Sequence, residues 1–396
     1  MEYAMPMSFF RPRPSGGPLA GLNQSSSMSG TESLPGAGRA SFEPIPFQPR
    51  GPYPYRLDLE DILGAAAINQ ITASGRLVFH VAGDTGGVKS PEAQTLVAQG
   101  MERSFANNLK SASFFYHLGD VVYYSGEVGR YFDQFYDPYE HYPAPIFAIA
   151  GNHDGATSLG NDRSLEGFER NFCAEVGTYT KEAMDTQRMA MCQPYVYWAL
   201  DSPFAYFIGL YTNVPEGGQI DSDQRRWFRD QLSQAPTGKA LILTMHHPVF
   251  SFDNQHSGSP VMARELADAV NYSRRVPNLI LTAHVHNFQR IEKITGTKTI
   301  PFLVIGNGGY WHLHALYAEP GHRDSETGVS LVAGIDDHHG FETIEVTRER
   351  IDGFFTTVPR AQESWTHSEQ YKRADAFSYD ARPIRLASGE MLRLQS

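Results

Sequence analysis

Six short apolar runs mark the chain: LVFHVAGD from Leu77, FFYHLGD from Phe114, IFAIAGNHD from Ile146, ALILTMHHP from Ala240, LILTAHVH from Leu279 and FLVIGNGG from Phe302. Each has about the length of a strand buried on both faces, where side chains of either orientation meet apolar neighbours. Three intervening stretches read as helices. PEAQTLVAQGMERSFANNL opens at Pro91, a residue suited to a first turn because its missing N–H would have no partner there. DSDQRRWFRDQLSQA opens at Asp221, with Asp221 or Ser222 as the cap, and VMARELADAVNYSRRV opens at Val261. YVYWALDSPFAYFIGLYTN, from Tyr195 to Asn213, reads as a hairpin around Asp201-Ser202-Pro203, and GFETIEVTRERIDGFFTTV from Gly340 as a second one. Strands with interposed helices and hairpins point to a layered α/β domain with mixed sheets. No internal repeat is visible.

The two ends differ from this body. Residues 1–55 are rich in Gly, Pro and Ser, as in RPRPSGGPLAGLNQSSSMSG, and are expected to form a flexible leader. The domain proper is expected over residues 56–360, and a polar tail over 361–396 is expected to wrap or fray. With 41% apolar and 19% charged residues among 396, a sizeable core can form. Lys plus Arg is 33 and Asp plus Glu 44, a net charge of −11 that argues against binding to a nucleic-acid backbone. It leaves room for a small anionic substrate, because bound cations can dominate the local field. Cys173 and Cys192 are too few for a disulfide framework or a four-thiolate zinc site. They read as free thiols, the alternative being one bond formed in an oxidising compartment. There is no export-signal pattern and no apolar run long enough to span a bilayer. A cytoplasmic protein without a membrane partner is the expectation, with secretion the alternative if the true start lies upstream.

The residues at the ends of the apolar runs change the picture. Five of the six runs end on a residue able to hold a metal: Asp84, Asp120, Asn152 with His153, His246 with His247, and His284 with His286. In open α/β sheets such strand ends gather around one crevice. Carboxylate, amide and imidazole together suit transition metals better than calcium, which prefers all-oxygen sites. Taken singly, each residue has an ordinary structural explanation: a lone Asp after a strand forms turns or caps helices, and a lone His is a hydrogen-bonded part of a core. Recurrence at five strand ends in series favours a metal site.

The ordered set GDTGG, GDVVY, GNHD, MHHP and AHVH resembles the calcineurin-like metallophosphoesterases, and more narrowly their purple acid phosphatase branch. The resemblance covers about residues 76–358. The general family carries Asp-x-His in its first block, whereas here Asp84 is followed by Thr85 and Gly86, and the second block carries Tyr123. Loss of that histidine together with gain of the tyrosine is the feature of the branch. One departure is Ala283, where the family usually has Gly. GNGG, Gly306 to Gly309, resembles a family loop whose glycines allow close backbone approach to the site.

The resemblance implies a sandwich of two mixed β-sheets flanked by helices, with the catalytic domain over 56–360. It implies two metal ions, one held by Asp84, Asp120, Tyr123 and His286, the other by Asp120, Asn152, His246 and His284, with Asp120 bridging. A tyrosine, with an ordinary pKa of about 10, ligates as phenolate only beside a strong Lewis acid; iron is therefore expected, with iron, zinc or manganese as the second metal. The reaction implied is hydrolysis of a small phosphate ester, mono- or diester, by a metal-activated hydroxide. His153 would protonate the leaving group, Asp154 would orient its ring, and His256 would contact substrate. His247 is open between packing and substrate contact. His312, His314, His338 and His339 are expected to be structural or at the rim. The alternative function is a noncatalytic metal-dependent binding or regulatory protein that keeps the fold, which would be expected to have lost a ligand or the proton donor.

Overall fold

The computed structural model describes residues 41–106, 111–157, 163–360 and 370–395. The first half runs β1 (Arg56–Asp58), α1 (Leu59–Ser74), β2 (Leu77–Ala82), α2 (Glu92–Ala106), β3 (Phe115–His117), β4 (Ile146–Ala148), α3 (Asn152–Gly155) and α4 (Glu166–Phe172). It continues with β5 (Trp198–Asp201), β6 (Ala205–Gly209), α5 (Ser222–Gln234), β7 (Ala240–Thr244), α6 (Pro260–Ser273), β8 (Arg275–Val276) and β9 (Leu279–Thr282). The last third is almost all strand: β10 (Phe288–Thr295), β11 (Lys298–Ile305), β12 (Val329–Ile335), β13 (Gly340–Val346), β14 (Arg350–Thr357), β15 (Lys372–Asp380) and β16 (Ile384–Arg385).

Two large mixed sheets result. The six-stranded sheet has the order β15-β14-β13-β2-β3-β4, and β2, β3 and β4 run parallel. The eight-stranded sheet has the order β1-β5-β6-β7-β9-β11-β10-β12, and β6, β7, β9 and β11 run parallel. The sheets face each other across one apolar layer. Alternation along β2 puts Leu77, Phe79 and Val81 into it, where they meet Phe207, Ile242, Leu281 and Leu303 of the other sheet. The phenyl ring of Phe79 stands edge-on to Phe207 at 5.1 Å. The outer faces carry a second cluster, including Val97 and Met101 of α2, Trp227 and Phe228 of α5 and Leu266 and Val270 of α6. Every strand predicted to be buried on both faces is so buried, because helices cover the face that the partner sheet does not.

Local signals set the helix ends. Asp221 accepts from the N–H groups of Asp223 and Gln224, as its capping position predicts. α6 begins one residue earlier than expected, at Pro260, behind the cap Ser259. α1 has no clear signal in the sequence. Asp58 caps it, but Gly64 at φ 77° breaks it and its apolar residues lack a clean stripe.

Two boundaries differ from expectation. The leader expected over 1–55 lies outside the described residues up to residue 40, but residues 41–55 lie along the body. Phe47 is buried edge-on to Tyr195, Arg50 pairs with Glu169 at 2.6 Å, and Asn213 bonds both backbone groups of Glu43. Composition averaged over 55 residues hid these few anchors. Of the tail, 361–369 lie outside the described residues, and the rest wraps onto the body instead of fraying: β15 pairs along β14, and Arg290 of β10 makes a two-pronged ion pair with Asp375. The alternation that would have shown this strand is weak because most of its outer face is polar and exposed. Among the described residues no helix is long and apolar enough to cross a membrane.

A chain starting at residue 56 should unfold more easily than one starting at residue 41, by about 3 kcal/mol in urea titration, the scale of losing a buried phenylalanine. Equal midpoints and slopes would show that the 41–55 segment adds nothing.

Candidate metal centre

The three parallel strands β2, β3 and β4 lie side by side and lead to Asp84, Asp120 and Asn152. The parallel strands β7 and β9 lie side by side in the facing sheet and lead to His246 and to His284 and His286. The five ends therefore converge from two sheets. Asp84, Asp120 and His284 take left-handed backbone angles, φ 53°, 52° and 68°. That conformation is uncommon for non-glycine residues and costs on the order of 1 kcal/mol or more. Cross-bonds hold it. Asp84 N–H donates to Gly119 O at 3.0 Å, Ala283 N–H to His246 O at 2.9 Å, and His284 N–H to Asp84 Oδ2 at 2.8 Å, the last tying one sheet to the other.

The rings are aimed by carbonyls. His246 Nδ1 lies 2.8 Å from Leu118 O and His286 Nδ1 lies 3.0 Å from His312 O. A carbonyl only accepts, so both Nδ1 atoms donate and each Nε2 turns inward. His246 Nε2 then faces Asn152 Oδ1 at 3.1 Å, Asp120 Oδ2 at 3.3 Å and Asp84 Oδ1 at 3.9 Å. His286 Nε2 faces the Tyr123 hydroxyl at 3.4 Å and Asp84 Oδ1 at 3.5 Å. His284 Nδ1 lies 3.0 Å from Asn152 Oδ1. Tyr123 donates its hydroxyl to Asp84 Oδ1 at 3.0 Å. All seven predicted ligand side chains share this one cluster, and five of them (Asp84, Asp120, Tyr123, His246 and His284) are at most 7% exposed. Asp120, His246 and His284 alone form a compact metal-capable triad.

Such a set of inward-facing acceptors needs positive charge. With protons alone, burial and the Asp120 charge drive the Asp84 carboxyl well above the usual carboxylate range. Burial opposes charge on His246, but the Asp120 and Asp84 carboxylates outweigh it and push the imidazole up to about 9. Burial, with the Asp120 and Asp84 charges, drives the Tyr123 phenol well above its ordinary value. The cluster thus collects protons where ligand lone pairs would otherwise point at a cation. The residues fit a pair of metal ions, which would take the place of those protons.

Gly86 leaves the space that the Tyr123 ring fills. A Cβ on Gly86 would come within 2.7 Å of Tyr123 Cδ2 and 2.4 Å of Gln134 Oε1. A side chain at 86 and the ring of Tyr123 compete for the same space. Gln134 fixes the ring's backbone from both sides, accepting from Tyr123 N–H and donating to Tyr123 O, each at 2.9 Å. Tyr310 and His153 flank the ring at 4.3 and 4.4 Å. Ala283 is explained similarly. Its methyl lies 2.5 Å from where a Cβ on Gly83 would sit, so the glycine makes room for it.

Around the cluster the expectations divide. His153 is half-buried, but Asp154 does not orient its ring. The Asp154 carboxylate instead accepts from the N–H groups of Val121, Val122 and Gly151, at 2.8–3.3 Å. One turn of α3 points adjacent side chains in different directions, so sequence neighbours are not ring partners. The ring is set by Tyr124 O, 2.6 Å from His153 Nδ1. His256 reaches the cluster, its ring 4.9 Å from that of His284. His247 is buried against His284 and pairs with Thr212 Oγ1 at 2.7 Å. His339 and His338 bond Tyr310 O and Asp337. His312 contributes its carbonyl to the His286 ring, and His314 is buried 4.4 Å from His286 and 5.3 Å from His256. Glu216 was missed. Its Oε1 lies 3.1 Å from His256 Nδ1 and 3.5 Å from His284 Nε2. It follows β6, the second strand of the 195–213 hairpin, which runs parallel to β7 and so leads to the same crevice.

Two stacked mixed sheets with this cluster at their strand ends define a metallophosphoesterase fold. The chain matches the family model for calcineurin-like phosphoesterases over residues 77–288, more than half its length, and belongs to that family. No curated protein matches it by sequence. Among solved structures it is similar to GAP50, the anchor in the inner membrane complex of Plasmodium, at 15% identity, covering 78% of this chain and 90% of that one with a TM-score of 0.55. It is similar to the purple acid phosphatase PPD1 of yellow lupin (Lupinus luteus) seeds at 14% identity, 76% and 53% coverage and a TM-score of 0.55. It is also similar to PhoD at 13% identity, 80% and 72% coverage and a TM-score of 0.50. At such identities the likeness is one of fold.

Adding Zn2+ to metal-free protein near pH 7 should release protons, because a cation displaces the one that the Asp120 and Asp84 carboxylates hold on His246. Calorimetry in buffers of different ionisation enthalpy reads this, and a binding heat independent of buffer would contradict it. Gly86→Ala should cost about 1–3 kcal/mol by crowding the Tyr123 ring; unchanged thermal stability would mean the ring has slack.

Proposed function

We propose that the chain hydrolyses small phosphate esters at two metal ions, in the manner of the purple acid phosphatase branch. The observation that carries this reading is the complete set of seven ligand-type side chains in one buried cluster, with Tyr123 in the space that Gly86 leaves. Asp84, Tyr123 and His286 would hold one ion and Asn152, His246 and His284 the other, with Asp120 between them. A phenolate ligand favours ferric iron for the first; iron, zinc or manganese suits the second. When bound, the pair would supply Lewis-acid activation of water and neutralise charge on the phosphoryl oxygens.

The chain's own residues would do the rest. His153 donates Nδ1–H to Tyr124 O, and as an imidazolium it would carry on Nε2 the proton that passes to the departing alkoxide oxygen, leaving the ring neutral. Its ring lies against Tyr123, so its plane is held. Asp154 gathers the loops after β3 and β4 and thereby holds Asp120 near Asn152. Asp120 Oδ1 accepts from His153 N–H at 2.9 Å, so ligand and proton donor share one turn. His256, whose ring lies 4.9 Å from that of His284, would hydrogen-bond a phosphoryl oxygen. The noncatalytic alternative predicts a missing ligand or proton donor; the presence of all seven ligand-type side chains together with His153 favours the catalytic reading.

His153→Ala should lower turnover at least tenfold more for alkyl than for aryl phosphates, with metal content unchanged, since only the poor leaving group needs the proton. Equal loss on both would remove it from that role. In iron-loaded protein Tyr123→Phe should abolish a visible charge-transfer band; a band that survives would make Tyr123 a packing residue.

A further inference from the structure

The exposed carboxylate of Glu216 stands over two imidazoles that have different duties in the proposed reaction. We infer that Glu216 is a shared positioning residue, one oxygen orienting His284 on the metal side and His256 on the substrate side. This rests on the phosphoesterase reading for His256 and on metal binding alone for His284. The geometry is specific. His284 turns Nδ1 toward Asn152 Oδ1 and Nε2 toward Glu216 Oε1, at 3.5 Å. If Nδ1 gives its lone pair to a metal, Nε2 must carry the proton, and a carboxylate is the partner that fixes the ring and strengthens the ligand. The same oxygen lies 3.1 Å from His256 Nδ1, which leaves His256 Nε2 for the substrate.

The backbone around Glu216 is built to hold it there. Pro215 precedes it, and Gly217 and Gly218 come next at φ 80° and 77°, with Gly218 N–H closing the turn on Pro215 O at 2.8 Å. Ser259, the cap of α6, donates its hydroxyl to Gly217 O. Gly218 lies against His247, where a Cβ would come within 3.0 Å of Nδ1. His256 is held from its own side, its N–H donating to Asp253 Oδ1 at 2.7 Å. The turn after β6 and the loop before α6 therefore meet through one carboxylate. The side chain is 69% exposed, so its removal should not disturb the core.

The test uses full-length protein loaded with zinc. Metal retention is followed by elemental analysis during an EDTA challenge, and kcat and KM are measured with p-nitrophenyl phosphate. Glu216→Ala should weaken retention of one zinc about 10- to 100-fold and raise KM; Glu216→Gln, whose carbonyl oxygen still accepts, should recover part of both. His256→Ala should raise KM without changing retention. Wild-type retention and KM in Glu216→Ala overturn the proposal, and so does a loss that Glu216→Gln fails to recover. If the wild type holds two zincs but cleaves no phosphate ester, the proposed function falls while the retention measurement still decides the His284 half. If it holds no zinc, both fall.

Discussion

Everything at this site depends on acceptor atoms brought together at the strand ends of two facing sheets. Carboxylate, amide, phenol and imidazole lone pairs meet within about 3–4 Å of one another in a buried space. Burying such groups unpaired is expensive, and a cation is the simplest way to make it favourable. The ring orientations show how the chain prepares for this. His246 and His286 each turn Nδ1–H to a main-chain carbonyl, so Nε2 can only face inward.

Holding that arrangement takes strain, and the two-sheet architecture supports it. Asp84, Asp120 and His284 sit in left-handed backbone conformations that short loops on a looser scaffold would relax. The apolar layer between the sheets fixes the strands, and bonds such as His284 N–H to Asp84 Oδ2 lock their ends across the gap. Helices seal the outer faces, which is why the strands could be apolar throughout. Function then needs only the loops, and the loops differ in job. Those after β2, β3, β4, β7 and β9 carry the seven candidate ligands, whereas those after β6 and before α6 carry Glu216 and His256.

Much of this was legible before the fold was known. Apolar runs of strand length name β2, β3, β4, β7, β9 and β11 directly, because burial on both faces leaves no polar interruption. The ligand residues come immediately after those runs, so their order along the chain already implies a common crevice. Less legible were elements whose burial is partial. β15 is mostly polar on its exposed face, and α1 is interrupted at Gly64. The anchors in residues 41–55 are a handful of side chains within a stretch whose composition speaks for a flexible leader.

The sequence by itself determined the strands buried on both faces, the candidate ligand residues and the family, because each is written in local pattern: apolar runs, and chemistry placed one or two residues beyond them. Tertiary structure alone decided which atoms face which. It turned Asp154 from the His153 ring to three backbone N–H groups and gave that ring to Tyr124 O. It set the Tyr123 ring against Gly86 and brought Glu216 to His256 and His284, 40 and 68 residues away. The physical reason is that hydrogen bonds and packing act over a few ångströms in space. Spacing along the chain carries no information about such contacts unless the two residues share an element.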